Sequence, residues 1–242
     1  LILFVIFVIV SAIAVDFDVQ VNRVDKIVSR KAPEGGEMCS TCVAFMSKAI
    51  DELLEIILNG GVLGTCGDLC GKLPDKLEAT ICNLLCDYVG IETFVKLLQE
   101  EDPDPIYICE RLDQICIIND SGYGTINSVD VTPQSGRQGT TFQIEVLFTI
   151  VNQTGTATLD FAVAPPQGDG RPFGTSEPLE STPPGKYKAQ LHFTAKPSEQ
   201  EPFNPGTYKV QSALCNGSCG AVGKHPHSKV WSVKGNTFQI TN

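Results

Sequence analysis

Eight closely spaced cysteines in residues 39–116 constrain the fold of this chain more than any other feature. Cys66 and Cys86 lie four residues outside Cys70 and Cys82, which is one helical turn in each direction. Two antiparallel helices joined by a short turn would therefore bring Cys70 to Cys82 and Cys66 to Cys86. This many paired thiols need an oxidising compartment. The spacing predicts a helical hairpin with two stacked cysteine pairs.

The N-terminal sequence is typical of a secreted protein. Residues 1–10 are all apolar, and Ala12 and Ala14 give the small-x-small pattern of a signal-peptidase site. The run is too short to span a bilayer. We expect a signal peptide over 1–14, a mobile lead over 15–37, and a mature protein that is secreted or, alternatively, delivered to the lysosomal lumen.

Three N-x-S/T triplets are consistent with this route, because the triplet is the acceptor for N-glycosylation in secreted proteins. The predicted glycosylation sites are Asn119, Asn152 and Asn216.

Charge divides the mature chain into two domains. Residues 34–120 carry 17 acidic and 5 basic side chains, whereas residues 121–242 carry 8 acidic and 9 basic ones. Eight of the ten cysteines are in the first half. We predict an α+β protein with separate domains, a helical one over 38–120 and a β-rich one over 121–242.

The first half has the apolar periodicity of helices. An N-cap is predicted at Asp75, in a capping box with Glu78, and another at Asp104, which precedes a proline. Gly90 is expected to bend the helix that follows Asp75. The last helix is expected to extend to Cys116.

The second half has the alternating pattern of strands separated by Gly- and Pro-rich turns, which is typical of an antiparallel, Ig-like β-sandwich. Tyr208 follows a Pro-Gly turn and is expected at a sheet corner. The predicted strands are 126–131, 142–150, 159–163, 187–193, 208–210, 229–233 and 238–240.

The helical half resembles a saposin B-type domain over residues 38–118, most closely in the segment Cys70-Gly-Lys-Leu-Pro74 and the Cys82-x3-Cys86 that follows. Cys66 and Cys86 depart from the common six-cysteine pattern, and their symmetry argues for a fourth bridge, although sequence alone does not fix the connectivity. The resemblance implies the pairs Cys39–Cys116, Cys42–Cys109 and Cys70–Cys82.

The order of signal peptide, saposin-like domain and β-rich domain resembles the countin proteins of social amoebae. That resemblance implies a secreted, non-enzymatic factor that limits cell-group size as part of an extracellular protein complex. The alternatives are a lysosomal lipid-transfer or hydrolase-activator protein and an amoebapore-like membrane lytic protein.

No catalytic motif or cofactor motif is visible. The three histidines, His192, His225 and His227, are in no nucleophile–His–acid order. A sequence pI of about 4.7 argues against nucleic acid as a partner. We therefore expect no enzyme activity, no cofactor and no metal; a hydrolase is the alternative from a different class.

Two cysteine motifs have alternative interpretations. Cys39-x-x-Cys42 has redox spacing, but its helical, cysteine-dense context favours structural cysteines. Cys215 and Cys219, with the two histidines near them, could bind zinc. A small disulfide loop is the interpretation that we favour for this pair, because the protein is predicted to be secreted.

The apolar residues of the helical half exceed one narrow stripe, and a domain of this size cannot bury all of them well. They could pack inside a closed monomer or against the β-rich domain. Alternatively, a hinged, V-shaped pair of hairpins would expose an apolar face to lipid or a membrane surface. The candidate lipid contacts are Phe45, Ile56, Leu84, Ile91 and Phe94.

Overall fold

A computed structural model describes residues 18–23, 36–59, 64–99, 104–112, 115–166, 171–198, 201–221 and 223–242. The predicted signal peptide lies outside these residues. The described part consists of a small helical region held by disulfides and a β-rich domain with two sheets.

Five helices lie in the described part of the helical region: α1 (Gly36–Asn59), α2 (Cys66–Cys70), α3 (Lys76–Val89), α4 (Ile91–Leu98) and α5 (Pro105–Arg111). Helix α3 begins where predicted, because the Asp75 carboxylate accepts hydrogen bonds from the N–H groups of Leu77 and Glu78. A reciprocal capping box occurs at α2, between Thr65 and Asp68.

Gly90 separates α3 from α4, as its predicted bend implies. Its φ of 84° lies in the left-handed region that favours glycine. The predicted cap of α5 is also present, since Asp104 Oδ1 accepts a hydrogen bond from Tyr107 N at 2.9 Å. The expectation that this helix extends to Cys116 is wrong: α5 ends at Arg111, and the next residue has a non-helical ψ of 70°.

Nine strands lie in the described residues: β1 (Asp18–Arg23), β2 (Tyr123–Thr132), β3 (Ser135–Arg137), β4 (Thr141–Asn152), β5 (Thr156–Ala164), β6 (Phe173–Glu180), β7 (Gly185–Thr194), β8 (Gly206–Asn216) and β9 (Lys229–Thr241). One sheet has the order β1-β7-β4-β2 and the other β3-β9-β8-β5-β6. Every pairing is antiparallel except that of β3 with β9.

The prediction of a mobile lead over 15–37 is corrected at residues 18–23, which form strand β1, and at residues 36–37, which begin helix α1; its other residues lie outside the described part of the chain. Strand β1 pairs with β7 from Asp18↔His192 to Arg23↔Tyr187. Val19 and Val21 pack against the core of the β-rich domain, and their burial offsets the entropy of ordering the segment. The helical region is therefore inserted between the first two strands of the β-rich domain.

Two other strand predictions differ from the structure. The segments 229–233 and 238–240 belong to one strand, β9, which pairs with β8 along its length. Strand β6 was not predicted. It contains Pro178, which has no N–H group to donate to a neighbouring strand. β6 lies at the edge of its sheet and has a partner strand on one side only, so proline is tolerated there.

The two sheets share one hydrophobic core. Phe142 of the first sheet contacts Phe238 of the second, with ring centroids 4.4 Å apart. Tyr208 is buried in the same core, and its hydroxyl donates a hydrogen bond to Asn204 O at 3.1 Å. This contact agrees with the expected corner position of Tyr208. The helical region has a separate core.

Candidate functional site

Five disulfides hold the chain, and they are the pairs expected from the sequence: Cys39–Cys116, Cys42–Cys109, Cys66–Cys86, Cys70–Cys82 and Cys215–Cys219. The first two tie the start of α1 to α5 and to the segment after it. The next two join α2 to α3 in the predicted hairpin register. These bonds fix which faces of α1, α2, α3 and α5 are turned inward.

The outer face of α3 carries a stripe of exposed apolar side chains. Leu77, Leu84 and Tyr88 are exposed, and Leu84 has 62% of its surface accessible. Ile81 lies between them and is half-buried. The spacing places all four on one side of the helix, because residues three and four apart are neighbours on its surface. We call Leu77, Ile81, Leu84 and Tyr88 the α3 stripe.

The structure separates the five predicted lipid contacts. Leu84 is exposed, and Ile56 and Ile91 are half-buried. Phe45 and Phe94 are 3% and 0% exposed, so the expectation that they lie on a lipid-facing surface is wrong for this conformation. Both pack with the cysteines and leucines of the helical core.

Three members of the α3 stripe, Leu77, Ile81 and Tyr88, were missed in the sequence. Their spacing with Leu84 was a usable signal, since the four positions follow one another at intervals of four, three and four residues. Periodicity alone does not say which of the two apolar faces of α3 is inward. The bridges at Cys82 and Cys86 decide it, because both sulfurs are buried on the opposite face.

The helical region contacts the outer face of strand β5. Cys39 Sγ lies 3.7 Å from Thr156 Oγ1, and Thr156 N donates a hydrogen bond to Ile117 O at 2.6 Å. Thr156 and Thr158 are both buried. Gly155 has no room for a Cβ, which would overlap Ile117 O. The segment after Cys116 therefore lies directly on the turn between β4 and β5.

A cluster of acids and histidines lies at this junction. The Tyr107 ring of α5 stacks on His225, with centroids 3.9 Å apart and planes 8° apart. His227 Nδ1 lies 2.9 Å from Asp120 Oδ1. Glu110, one turn after Tyr107, is only 6% exposed. We call Glu110, Asp120, Asp160, His225 and His227 the junction cluster.

Burial raises the pKa values of two acids of this cluster, Glu110 and Asp160. Desolvation raises the pKa of Glu110 to about 7, against a lowering effect of His227, and the charges of Asp104 and Asp120 raise it further. Desolvation also raises the pKa of Asp160 on β5 to about 6, opposed by a hydrogen bond from Ser176 and reinforced by Asp104. No local sequence pattern points to this cluster, because its members come from four separate segments.

The alternative interpretations of the cysteine motifs do not fit the structure. Cys215 and Cys219 are bonded to each other, so their sulfurs are not available as zinc ligands. Cys39 and Cys42 are bonded to Cys116 and Cys109 and not to one another. Within the described residues, no group of three or more His, Cys, Asp and Glu side chains could hold a metal ion.

The three predicted glycosylation sites differ in accessibility. Asn152 is exposed, and Asn119 is half-buried with its Nδ2 donating to Gln153 O at 2.9 Å. Asn216 is 5% exposed, and its Nδ2 faces Asp120 Oδ1 at 3.4 Å. A glycan attached to Asn216 Nδ2 would have to displace the junction, so the structure does not fit glycosylation at this residue.

None of the helices in the described ranges is long and apolar enough to cross a membrane.

Comparisons with known proteins cover both parts of the chain. The Countin N-terminal domain family matches residues 37–113, and the Countin C-terminal domain family matches residues 124–242. Countin-1 of Dictyostelium discoideum is 42% identical over 85% of this chain and 77% of its own length. Countin-3 of the same organism is 42% identical over 87% of this chain and 92% of its own length.

Solved structures are more distant. An alkylpurine DNA glycosylase, AlkC of Pseudomonas fluorescens, bound to DNA containing an abasic site analog, aligns with a TM-score of 0.42 and 12% identity over 78% of this chain and 55% of that one. This likeness is too weak to support an inference about fold or activity. The sequence matches are strong and span the helical region and the β-rich domain alike, and the chain therefore belongs to the countin family.

Proposed function

We propose that this chain is a secreted, non-enzymatic regulator of cell-group size that acts in an extracellular protein complex and contacts membranes through its helical region. The observation that carries the proposal is the similarity to countin proteins across both domains. The ten cysteines, all paired, favour an oxidising compartment such as the secretory route.

For the helical region we propose the saposin B-type fold. Two bridges between the ends of the region and two inside its hairpin support this assignment. For the β-rich domain we propose an Ig-like sandwich, supported by the strand order β9-β8-β5 in one sheet and β7-β4-β2 in the other. The hydrogen bond of Tyr208 to Asn204, near the start of β8, resembles the tyrosine corner of such domains.

Lipid contact is the part of the proposal that the geometry supports most directly. The α3 stripe leaves two leucines and a tyrosine in water, and transfer of a leucine side chain from water to an apolar phase is worth about 1.5–3 kcal/mol. Tyrosine is suited to a bilayer surface, because its ring is apolar and its hydroxyl stays hydrated. The acidity of residues 34–120, 17 acids against 5 bases, opposes contact with anionic lipid near neutral pH.

The purified full-length chain is expected to reduce the number of cells per group when it is added to developing social-amoeba cells. The reason is its family membership, and the measurement is a count of cells in each group against protein concentration. A reduced and alkylated sample of the same protein serves as the control for added protein. Unchanged group size at all concentrations would contradict the regulatory role.

Association of the full-length chain with vesicles is expected to increase as the pH falls from about 7 to 4, most strongly with anionic lipid, because Asp and Glu side chains become neutral in this range. Flotation of the protein with anionic and with neutral vesicles measures it. A variant with Leu77→Glu and Leu84→Glu should bind at least about tenfold more weakly, since each substitution removes an apolar contact.

A matched control variant carries Ser47→Glu and Thr93→Glu. It adds the same charge at exposed positions of α1 and α4 and leaves the α3 stripe intact. Equal loss of binding in both variants would assign the effect to charge alone and contradict the stripe as the contact. Release of a trapped dye from the vesicles would favour the lytic alternative over the signalling role.

A further inference from the structure

An apolar surface is exposed on the sheet that contains β2 and β4, where β2 begins and β4 ends. Tyr123 and Val151 are 42% and 49% exposed. Their chain neighbours Gly124 and Ile150 are buried, so the two exposed side chains point away from the core. The rings of Tyr123 and the half-buried Trp231 of β9 lie edge to face, with centroids 6.4 Å apart and planes at 65°. We call Tyr123, Val151 and Trp231 the aromatic patch.

Asn152 lies directly opposite Tyr123 in the pairing of β4 with β2. The register has Tyr123 against Asn152 and Gly124 against Ile150. Val151 is therefore an extra residue in β4, a β-bulge, and it is exposed together with Asn152. Residues opposite one another in an antiparallel pair have Cβ atoms about 5 Å apart. A group attached to the side chain of Asn152 therefore begins beside Tyr123.

The side chain of Asn152 is accessible for modification. It is the first residue of an Asn-Gln-Thr triplet, the acceptor for N-glycosylation. Its Nδ2 donates a hydrogen bond to Ser121 O at 3.1 Å. Attachment of a sugar replaces one of the two hydrogens on Nδ2 and leaves the other for this bond. Asn152 thus has the room that the nearly buried Asn216 lacks.

We propose that Asn152 carries an N-linked glycan whose first sugar packs on the aromatic patch. The observation that carries the proposal is the placement of an exposed acceptor directly opposite Tyr123, with Trp231 on the other side of that ring. The chain's own glycan is the occupant, because its attachment atom is held beside the patch and any separate partner would have to displace it. The inference rests on the proposed secretory route and not on the group-size activity.

The chemistry of a sugar suits this surface. A pyranose ring has a face of C–H groups, and these pack on the electron-rich face of an aromatic ring. The contact removes the apolar surface of Tyr123 and Val151 from water, whereas the hydroxyl groups of the glycan stay hydrated. β2 is the last strand of its sheet, and an apolar surface beside a sheet edge favours association between copies of a protein. A glycan on Asn152 would oppose such association.

Trp231 makes the contact measurable, because it is the only tryptophan of the chain. The full-length chain is secreted from eukaryotic cells, and glycopeptide mass spectrometry is expected to find Asn152 occupied and Asn216 unoccupied. One sample is then stripped of glycans by an amidase, and another is trimmed by an endoglycosidase to a single sugar at each site. Acrylamide quenching of the tryptophan fluorescence should rise about twofold in the stripped sample and stay unchanged in the trimmed one.

Four variants make the result specific. Asn152→Gln has no acceptor and should be quenched like the stripped chain, which excludes an effect of the aspartate that the amidase leaves. Tyr123→Ala removes the ring under the sugar, so stripping should no longer change the quenching. Tyr88→Ala removes an exposed tyrosine of α3, and Asn119→Gln removes another acceptor; both should keep the full effect of stripping.

The proposal is overturned if Asn152 is unoccupied, if the trimmed and stripped samples are quenched alike, or if stripping has its full effect on Tyr123→Ala. Should Tyr123→Ala not fold, the comparison of the trimmed with the stripped sample decides alone. A chain that stays inside the cells would contradict the secretory route instead, and its glycopeptides would still show whether Asn152 is occupied.

Discussion

Replacement of Cys39, Cys42, Cys109 and Cys116 by serine is expected to unfold the helical region and leave the β-rich domain folded. The two bridges are nested, with loops of 77 and 67 residues. If only the outer bridge is removed, the inner bridge still closes its own loop, so the part of the chain that is newly freed is about 10 residues long. The free energy of unfolding should then fall by about 3 kcal/mol. Removing both also frees the inner loop, which adds about 4 kcal/mol, and the total is comparable with the stability of a small domain.

Two signals separate the domains in this experiment. The only tryptophan of the chain, Trp231, lies on β9 and reports on the β-rich domain, whereas the helical circular dichroism signal reports on the other region. A Cys215→Ser and Cys219→Ser variant is the control. The bridge that it lacks closes a loop of only 4 residues, so its removal should lower the free energy of unfolding by about 2 kcal/mol. A helical signal that survives loss of both nested bridges would contradict the prediction.

Local signals predicted most of the helical region. The cysteine spacing indicated the hairpin of α2 and α3, and the side chains of Asp75 and Asp104 begin helices where expected. These features act within one helical turn, so a single sequence contains the information. The prediction that α5 extends to Cys116 was wrong. Cys116 only has to lie close enough to Cys39 to form a disulfide, and this does not require a helical backbone.

Strands were harder to predict where they depend on partners far along the chain. β1 consists of six residues with two inward valines, and only pairing with β7, about 170 residues away, makes it a strand. β6 contains a proline that argues against a central strand, and its edge position removes that objection. The sequence does not show which strand lies at the edge of a sheet.

The candidate site was only partly predicted, because it too depends on contacts between residues that are far apart in the sequence. Leu84 was identified, but Phe45 and Phe94 have the same periodicity and are buried. Their inward position depends on how the four bridges orient α1, α3 and α4. The junction cluster could not be predicted, because it forms only where the helical region meets β5 and the loop before β9.

Replacement of Phe94 by alanine is expected to lower the free energy of unfolding of the helical region by about 3–5 kcal/mol, whereas Leu84→Ala should change it by less than about 0.5 kcal/mol. Phe94 is 0% exposed, so its loss leaves a cavity in the helical core; Leu84 is 62% exposed and leaves none. Denaturant unfolding, followed by the helical circular dichroism signal, measures both variants. A similar cost for the two would contradict the inward placement of Phe94.

The same pair of variants distinguishes two modes of lipid contact. If the closed helical region lies on the bilayer with its α3 stripe, Leu84→Ala should weaken vesicle binding and Phe94→Ala should not, at a temperature where both are folded. If the hairpins open to expose their inner face, the bilayer would contact Phe94 itself, and Phe94→Ala should weaken binding as well. Opening would expose the phenylalanines and leucines of the helical core to water before they reach lipid, which is costly for a region whose helices are joined by four disulfides. We therefore expect the closed mode, with binding dependent on Leu84 and independent of Phe94.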